Sequence, residues 1–548
     1  MYALVLSTFL ATTAPCVPAQ QVVVLGGARI STVCVNDAAA AGFVIVDLRD
    51  DWVPLVLADT PHATTWKGLA DERFEVLGAG PRAVDDRYLE TWGIVPNLSV
   101  LARRLQDWQR HRCDALVDND ALRALDEVLR ATRAPPAQSG DDEAVNALHG
   151  HLVCEGLLDA KDADGVFGPA TARALAVWQR KEALYGEPGV LDDEGRQRLL
   201  VPSRGRDLRA VLRVLRERVA DAAGLIEDGS ARDEQAPVLG VLLDEPSMRP
   251  HRRDPATRGA PDVIDASADV VARALGFDEG HVDGGGDIAG IVSNGLRFGR
   301  IAVSLAAPAW HAPHMASLSA GIDVGEVSSS GVGVRGGKRP VFRLSTAIDG
   351  EPIPLVLWPT TIGGNQRVQL DSGDVVRRNK ASPVGMFVWR WLLAAPVWYP
   401  PASTPDDELV IRSADGVVVN DEGVGPGYRS AFGLLLLQHH DVFTNKDGVA
   451  LFTDTGVRTH GTGSVRSVLA GGVSHGCHRL LPRSALRLGS FILRHRTHTT
   501  STPLLEGYRR ELRVGGRTLP LQRDMRGTRT ELTPPMHVVV EQTCATNG

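Results

Sequence analysis

Cysteine is scarce in this chain, with six in 548 residues. That excludes a small disulfide-stapled scaffold, which spends a far larger share of its length on cysteine. Long apolar runs are also missing. The one candidate, the mostly apolar stretch from Ala3 to Ala11, falls well short of the roughly 20 residues a bilayer-spanning helix needs. An excess of positive charge is absent too. Lys and Arg number 59 against 66 Asp and Glu, for a net charge of −7. The whole-chain balance therefore does not offer the basic face of a nucleic-acid binder. One local exception runs from Arg479 to Arg529, where arginines far outnumber acidic residues. It reads either as a solvated surface or as a face for an anionic partner.

What is present is ordinary globular composition, 43% hydrophobic and 23% charged, at a length that implies several domains. The stretch from Met1 to Ala19 reads as a possible signal peptide. An apolar run leads to Val17-Pro18-Ala19, a small-residue pattern suited to a signal-peptidase site, although no positive charge precedes it. Export to the periplasm or cell envelope is the expectation. Cys16 could carry a lipid, but Pro15 fits that pattern poorly. After Cys16 an odd number of cysteines remains, which in an exported chain implies a free thiol. If Cys477 is that thiol, the other four could form up to two disulfides, with Cys113–Cys154 the preferred pair, or stay unpaired and buried.

The pattern along the chain predicts a multidomain α+β protein. Residues 20–140 form an N-terminal α/β region of unknown role. Its runs QVVVL, GFVIVDL and WVPLVL read as strands, the last two joined as a hairpin through Arg49-Asp50-Asp51. Leu98, Leu101, Leu105 and Trp108 recur at helical steps, predicting a helix over 96–131. RAPPAQSGDDE (133–143) reads as a linker. Residues 142–201 form a compact unit of three helices. In it Asp164-Gly165 makes a turn and Pro169 opens a helix whose Ala172, Leu175, Ala176 and Gln179 lie near one face, with Trp178 beside them. Residues 203–311 read as a connecting region: a charged helix (203–227), an exposed loop (228–262), a second helix (262–277) and the glycine-rich GHVDGGGDIAG, which no Gly-Lys-Ser/Thr follows and which matches no phosphate loop. From about 312 the texture turns to short apolar runs between turns, the mark of a mainly β domain.

In that last region VSHGCHRL (473–480) sets Cys477 between His475 and His478, with Gly476 before it and Arg479 after it; His460 lies upstream in RTHGTGS. Three roles are open to the cysteine. A nearby imidazole favours the thiolate, glycine lets backbone N–H groups approach a reacting oxygen, and arginine can hold a carboxylate, so nucleophilic catalysis is the first. Zinc binding is the second, but H-x₁₄-H-x-C-H departs from the usual ligand spacings and no second cysteine is near. A buried structural thiol is the third. His439-His440 lies outside the motif and reads as a strand end or surface pair. Trp389, Trp391 and Trp398 suit either stacking on a glycan or packing in a β core.

HGT (460–462) followed by SHGCHRL (474–480) resembles the signature of the L,D-transpeptidase catalytic domain, a cysteine enzyme family of the bacterial cell wall. SPVGMF (382–387), APVWYPP (395–401) and GPGYRSAFG (425–433) match further stretches of that family in its order. The resemblance covers about 320–542, with an arginine-rich insertion over 494–530. The family usually has isoleucine or valine where this chain has His478. Likewise DGVFGPATARALAVWQ (164–179) resembles the three-helix peptidoglycan-binding domain.

The resemblance implies Cys477 as nucleophile and His460 as general base, its ring oriented by the Gly461 carbonyl. His475 and Ser474 would shape the pocket with Thr462. The Gly476 and Cys477 N–H groups would stabilise the oxyanion, and Arg479 would hold a stem-peptide carboxylate. Tyr428, on a lid, and Trp398 are further substrate-side candidates. The implied partners are peptidoglycan stem peptides and glycan, with no nucleic acid, no metal and no organic cofactor. The implied reaction joins two stems in a 3→3 cross-link. A hydrolase on the same site, or a non-catalytic wall-binding protein, stays open.

Overall fold

The computed structural model describes residues 16–17, 20–26, 29–49, 51–58, 98, 142–181, 189–190, 195, 204–231, 262–275, 299–305, 317–325, 340–348, 351–413, 416–427, 429–463, 467–468, 474–499 and 502–542. The helix expected over most of 96–131, the 133–141 linker, the glycine-rich 280–290 stretch, Cys113 and Tyr428 lie outside them. The fold is mixed α+β, with a large sheet in the C-terminal part. Among the described residues no helix is long and apolar enough to cross a membrane.

The chain divides into two compact units that interleave in sequence. One takes Met1–Trp52, Lys67–Ala223 and Ser267–Leu305; the other takes Val53–Trp66, Gly224–Ala266 and Ala306–Gly548. Among the described residues the first unit holds four strands, β1 Gln21–Gly26, β2 Arg29–Cys34, β3 Val44–Asp47 and β4 Arg300–Val303. They form one sheet of order β2-β1-β4-β3. A helix, α1 (Val35–Ala40), lies between β2 and β3 in sequence. Val22, Val24, Ala38 and Ala302 make the small core of this sheet and helix.

Two expectations are corrected here. Residues 203–311 are more than a connector, because β4 sits between β1 and β3: parallel to the first and antiparallel to the second. WVPLVL is no strand. Leu55–Ala58 is a helical turn of the other unit, so β3 pairs with β4 rather than forming a hairpin with it. Pro54 lacks the N–H a central strand must donate, yet suits the start of a helical turn.

One cysteine pair departs from expectation, and Cys154 is disulfide-bonded as expected. Cys16 bonds to Cys34, while Cys154 is in another disulfide whose partner lies outside the described residues. Cleavage after Ala19 would discard Cys16 and open the first bridge, so that bridge and the expected processing site exclude each other.

The helical module of the first unit has α2 (Asp142–Cys154), a 3₁₀ turn (Ala160–Asp162) and α3 (Pro169–Lys181), with Pro169 at the helix start as expected. Asp164 accepts the Val166 N–H at 3.0 Å and Gly165 takes φ +80°, which closes the turn. Leu148, Leu152, Phe167, Leu175 and Trp178 form its core. The buried face of α3 runs through Thr171, Ala174, Leu175 and Trp178, while Ala172 and Ala176 are only half-buried. Its centre is therefore rotated from the face expected from the sequence. Gln179 fastens the following segment by accepting the Gly189 N–H at 2.8 Å and donating to the Val190 carbonyl at 2.6 Å. The charged helix α4 (Arg204–Ala223) buries Arg218, which donates to the carbonyls of Asp47 and Arg49, both at 2.7 Å. The second predicted helix of this region is α5 (Val263–Ala274).

The second unit is built on one large sheet. Its strands are β5 Ser319–Asp323, β6 Val341–Ile348, β7 Glu351–Pro359, β10 Gly385–Ala394, β13 Leu435–Thr444, β14 Ala450–His460, β15 His478–Arg479 and β19 Gly527–Glu541. Their order across the sheet is β15-β14-β13-β10-β19-β5-β6-β7. Phe342 lies between Trp358 and Trp389, with ring centroids 5.7 and 6.3 Å away. Trp389 is fully buried, which gives it the packing role of the two offered by the sequence. Helix α6 (Pro482–His495) covers this sheet. Its Gly489 allows close approach of Leu435 and Val56, and its Arg487 meets the buried Asp228 at 3.1 Å. Asp228 also accepts from Trp358 Nε1 at 2.9 Å, tying the 224–231 segment to the sheet.

Three hairpins stand off this sheet: β8–β9 (Asn365–Gln369, Val375–Asn379), β11–β12 (Val410–Ser413, Gly416–Val419) and β17–β18 (Tyr508–Val514, Arg517–Arg523). A short strand β16 (Thr502–Leu504) pairs with β19. The arginine-rich stretch over 494–530 is flanked by secondary structure at both ends, since α6 reaches His495 and β19 starts at Gly527. Its arginines are largely spent internally: Arg510 on Asp406, Arg523 on Asp421, Arg526 on Glu506 and Arg509 on Asp524, at 2.6–3.0 Å. Trp398 packs against the small core beneath this hairpin, formed by Val397, Leu409, Leu512 and Leu521.

Candidate active site

Strand β14 ends at His460, and the two-residue strand β15 runs parallel to it in the register Thr459↔His478 and His460↔Arg479. Partners in a ladder point to the same side, and successive residues alternate. One face of the pair therefore carries Arg458, His460 and Arg479, and Cys477 directly precedes β15, where the Arg458 backbone N–H reaches its sulfur. The other face carries Thr459 and His478. The structure thus brings the expected base and the segment carrying the cysteine, well separated in sequence, to adjacent strand ends.

His460 is 3% exposed, and Phe432 lies edge-on to its ring at 4.8 Å. Its Nδ1 hydrogen-bonds the Gly461 carbonyl oxygen. A carbonyl only accepts, so Nδ1 carries the proton and Nε2 is left as the free basic nitrogen. Burial, reinforced by the Arg479 charge, lowers the pKa of His460 to about 3, so the ring is neutral.

Cys477 is a half-buried free thiol. Burial pushes its pKa up, opposed by the Arg458 guanidinium and backbone N–H and by Arg479. The resting site therefore holds a neutral thiol beside a neutral imidazole, not a thiolate–imidazolium pair. Arg479 is itself mostly buried, which lowers its pKa, and among the described residues its Nε has no hydrogen-bond partner.

The segment carrying Cys477 is clamped on its second side by residues 360–364. Ser474 donates its N–H to Ile362 O and accepts Gly364 N–H at its carbonyl, both at 3.0 Å. Thr360 Oγ1 donates to Arg479 O at 2.9 Å. Ser382 joins the two sides: it accepts the Gly363 N–H and donates to Gly476 O, each at 3.0 Å. Gly476 has φ +106°, where a side chain would be strained. Ser474 Oγ donates to Cys477 O and accepts the Gly476 N–H at 3.2 Å, so one of the two expected oxyanion donors is already engaged.

The other expected residues are placed as follows. His475 is exposed at the rim. Partial desolvation lowers its pKa against a hydrogen bond to the Arg367 main chain, with Arg479 and Lys380 adding to the lowering. Thr462 is buried, its main chain pressed against Gly433.

His439 and His440 do not lie at a strand end or on the surface. Both are buried within β13. His439 bonds Thr459 at 2.9 Å, and its ring lies 5.3 Å from that of His478, on the face opposite the sulfur. His478 is fully buried and, among the described residues, neither ring nitrogen has a partner. Burial lowers its pKa to about 3. Among the described residues no group of three or more His, Cys, Asp or Glu is placed to share a metal ion.

Sequence reasoning missed Arg458, Ser382, Thr360 and Gly363. Arg458 was within reach of it. It stands two positions before His460 in a strand, and strand alternation gives i and i+2 one face. The clamp at 360–364 had only the Gly363-Gly364 pair as a signal.

No family model matches the chain, and no curated protein matches it.

Proposed function

We propose that this chain is an exported cell-wall L,D-transpeptidase carrying a peptidoglycan-binding module. The observation that carries the reading is the parallel register of β14 and β15. It sets a neutral, Nε2-basic His460 across from Arg479, two residues after Cys477, in the sequence frame HGT…SHGCHRL. Two disulfide-bonded sites, Cys16–Cys34 and Cys154, support an oxidising compartment outside the cytoplasm. Matching residues of the binding-module motif, Trp178 and Gln179, are buried in its helical core.

In the proposed reaction the Cys477 sulfur attacks the carbonyl of the peptide bond between an L-centre and the terminal D-alanine of a tetrapeptide stem. The thiol proton passes to His460 Nε2 as the S–C bond forms. With both groups neutral at rest, transfer is coupled to attack rather than completed before it. The oxyanion is stabilised first by the Cys477 N–H, and by the Gly476 N–H once Ser474 releases it. The intermediate collapses to a thioester, and the departing D-alanine amine takes the proton from His460. An amine of a second stem then attacks the thioester, gives its proton to His460, and leaves as the cross-linked amide while the thiol is restored. Arg479, with an unmatched donor beside the sulfur, holds the carboxylate of the donor stem.

Incubation with a carbapenem is expected to add one acyl group to Cys477, seen by intact mass, and Cys477→Ala is expected to abolish the adduct. Tetrapeptide-bearing muropeptides are expected to yield cross-linked dimers. Shortened stems alone would mean that water is the acceptor, and a wild-type chain that never acylates would leave only a wall-binding role.

A further inference from the structure

We infer that Arg458 is an electrostatic positioning residue for Cys477, a fixed cation that stabilises negative charge on the sulfur and leaves Arg479 free for the substrate. The inference rests on the reading of Cys477 as the nucleophile, and its test is independent of transpeptidation.

The division of labour between the two arginines follows from their partners. Stepping one position back from Thr459↔His478 sets Arg458 across from Cys477, close enough that its backbone N–H bonds the sulfur. The Arg458 side chain is only 8% exposed and is gripped by Asp454 through two bonds, at 2.6 and 2.7 Å, with a third donated to Val457 O at 2.8 Å. Asp454 is in turn fixed by the Gly456 N–H at 2.9 Å and by Gln438, whose Oε1 accepts from Trp391 Nε1 at 2.9 Å. A guanidinium held this way cannot swing out to meet a substrate. Arg479 has the opposite character, with its Nε unmatched.

The usual cation of a cysteine site is also missing at rest, because His460 is neutral. The positive charge that the sulfur meets must therefore come from elsewhere. The charged and titratable groups around it are Arg458, Asp454 and His460 on β14, Arg479, His475 and His478 on its own segment, and Lys380 at the end of β9, with His439 of β13 beyond the sheet. Of the two cations acting on the sulfur, Arg458 contributes more than Arg479, and its backbone N–H also favours the thiolate. Asp454 acts in the opposite sense.

That opposition supplies the test. The pH dependence of iodoacetamide alkylation is followed on the peptide containing Cys477. Arg458→Gln is expected to raise the midpoint by about one pH unit, roughly a tenfold loss of thiolate at a given pH. Arg458→Lys is expected to recover most of it. Asp454→Asn is expected to lower the midpoint, because it removes a negative charge and leaves the cation. A merely structural ion pair would move both variants in the same direction, and that result, or an unmoved midpoint in a folded Arg458→Gln, would overturn the inference. If Arg458→Gln does not fold, Asp454→Asn alone decides, since Asp454 is 44% exposed and tolerates the change. Opposite shifts in a protein that never forms an acyl adduct would sink the transpeptidase reading and leave this one standing.

Discussion

Gly363→Ala is expected to disable the proposed acylation and to destabilise the second unit by about 3 kcal/mol, an overpacking cost at the upper end of the usual range. A Cβ at this position would fall inside contact distance of the Lys380 carbonyl oxygen and 2.8 Å from the carbonyl carbons of Lys380 and Ala381. The obstacle is backbone, so no rotamer change relieves it. Moving residues 380–382 away would break the Lys380 N–H bond to Gly364 O and the Ser382 bridge from Gly363 to Gly476. The Cys477 segment would lose its support on that side, and a displacement of about 1 Å at a reacting atom costs on the order of 100-fold in rate. Ser382→Ala removes only the bridge and is expected to cost about 1 kcal/mol with a smaller loss of rate. Thermal melting and the rate of carbapenem adduct formation measure both. An alanine variant that melts and acylates like the wild type would show that the clamp has no such role.

His478→Ile is expected to stabilise the unit at neutral pH by about 1–2 kcal/mol and to flatten its response to acid, since an unmet buried polar group costs about 1–3 kcal/mol. His478 buries two ring nitrogens without partners among the described residues. Isoleucine nearly matches the volume and asks for no partner.

His460 and His478 both contribute to the acid response, and burial lowers the pKa of His439 in the same direction. His460 and His478 each have a folded pKa of about 3, against an ordinary value of 6.5. Below pH 6.5 the unfolded chain takes up protons that the native state refuses, so stability is full above that pH and falls progressively toward pH 3. At pH 5 the loss is roughly 2 kcal/mol for each of those two histidines at ~1.4 kcal/mol per pKa unit. Removing His478 takes its share out of that slope while leaving His460 in place. Urea midpoints at pH 7 and pH 5 test this. Equal midpoints and slopes in the two proteins would show that His478 is hydrated or paired.

Much of this was legible in local patterns. Proline at 169 and the helical spacing of apolar positions announced α3. The apolar runs after position 312 announced strands β6, β7, β10, β13 and β19. The string SHGCHRL with HGT upstream marked out Cys477, His460 and the Gly461 carbonyl, which the β14–β15 pairing then brings to one place. Such signals are legible because backbone period, turn chemistry and the reactivity of a side chain are set by residues close in sequence.

Other features depended on partners far along the chain. Arg300–Val303 became a central strand because β1 and β3, both near the start of the sequence, leave a place between them. Thr361 clamps Arg479 from a strand connection far upstream of it. His439 and His478 proved buried, and Arg458 and Arg479 acquired different surroundings, only once register and packing placed each side chain. The sequence by itself determined which reactive groups and which elements this protein has. The tertiary structure decided which of those groups are dry, which are paired and which remain available, because burial and charge pairing depend on distances in space that no local pattern encodes.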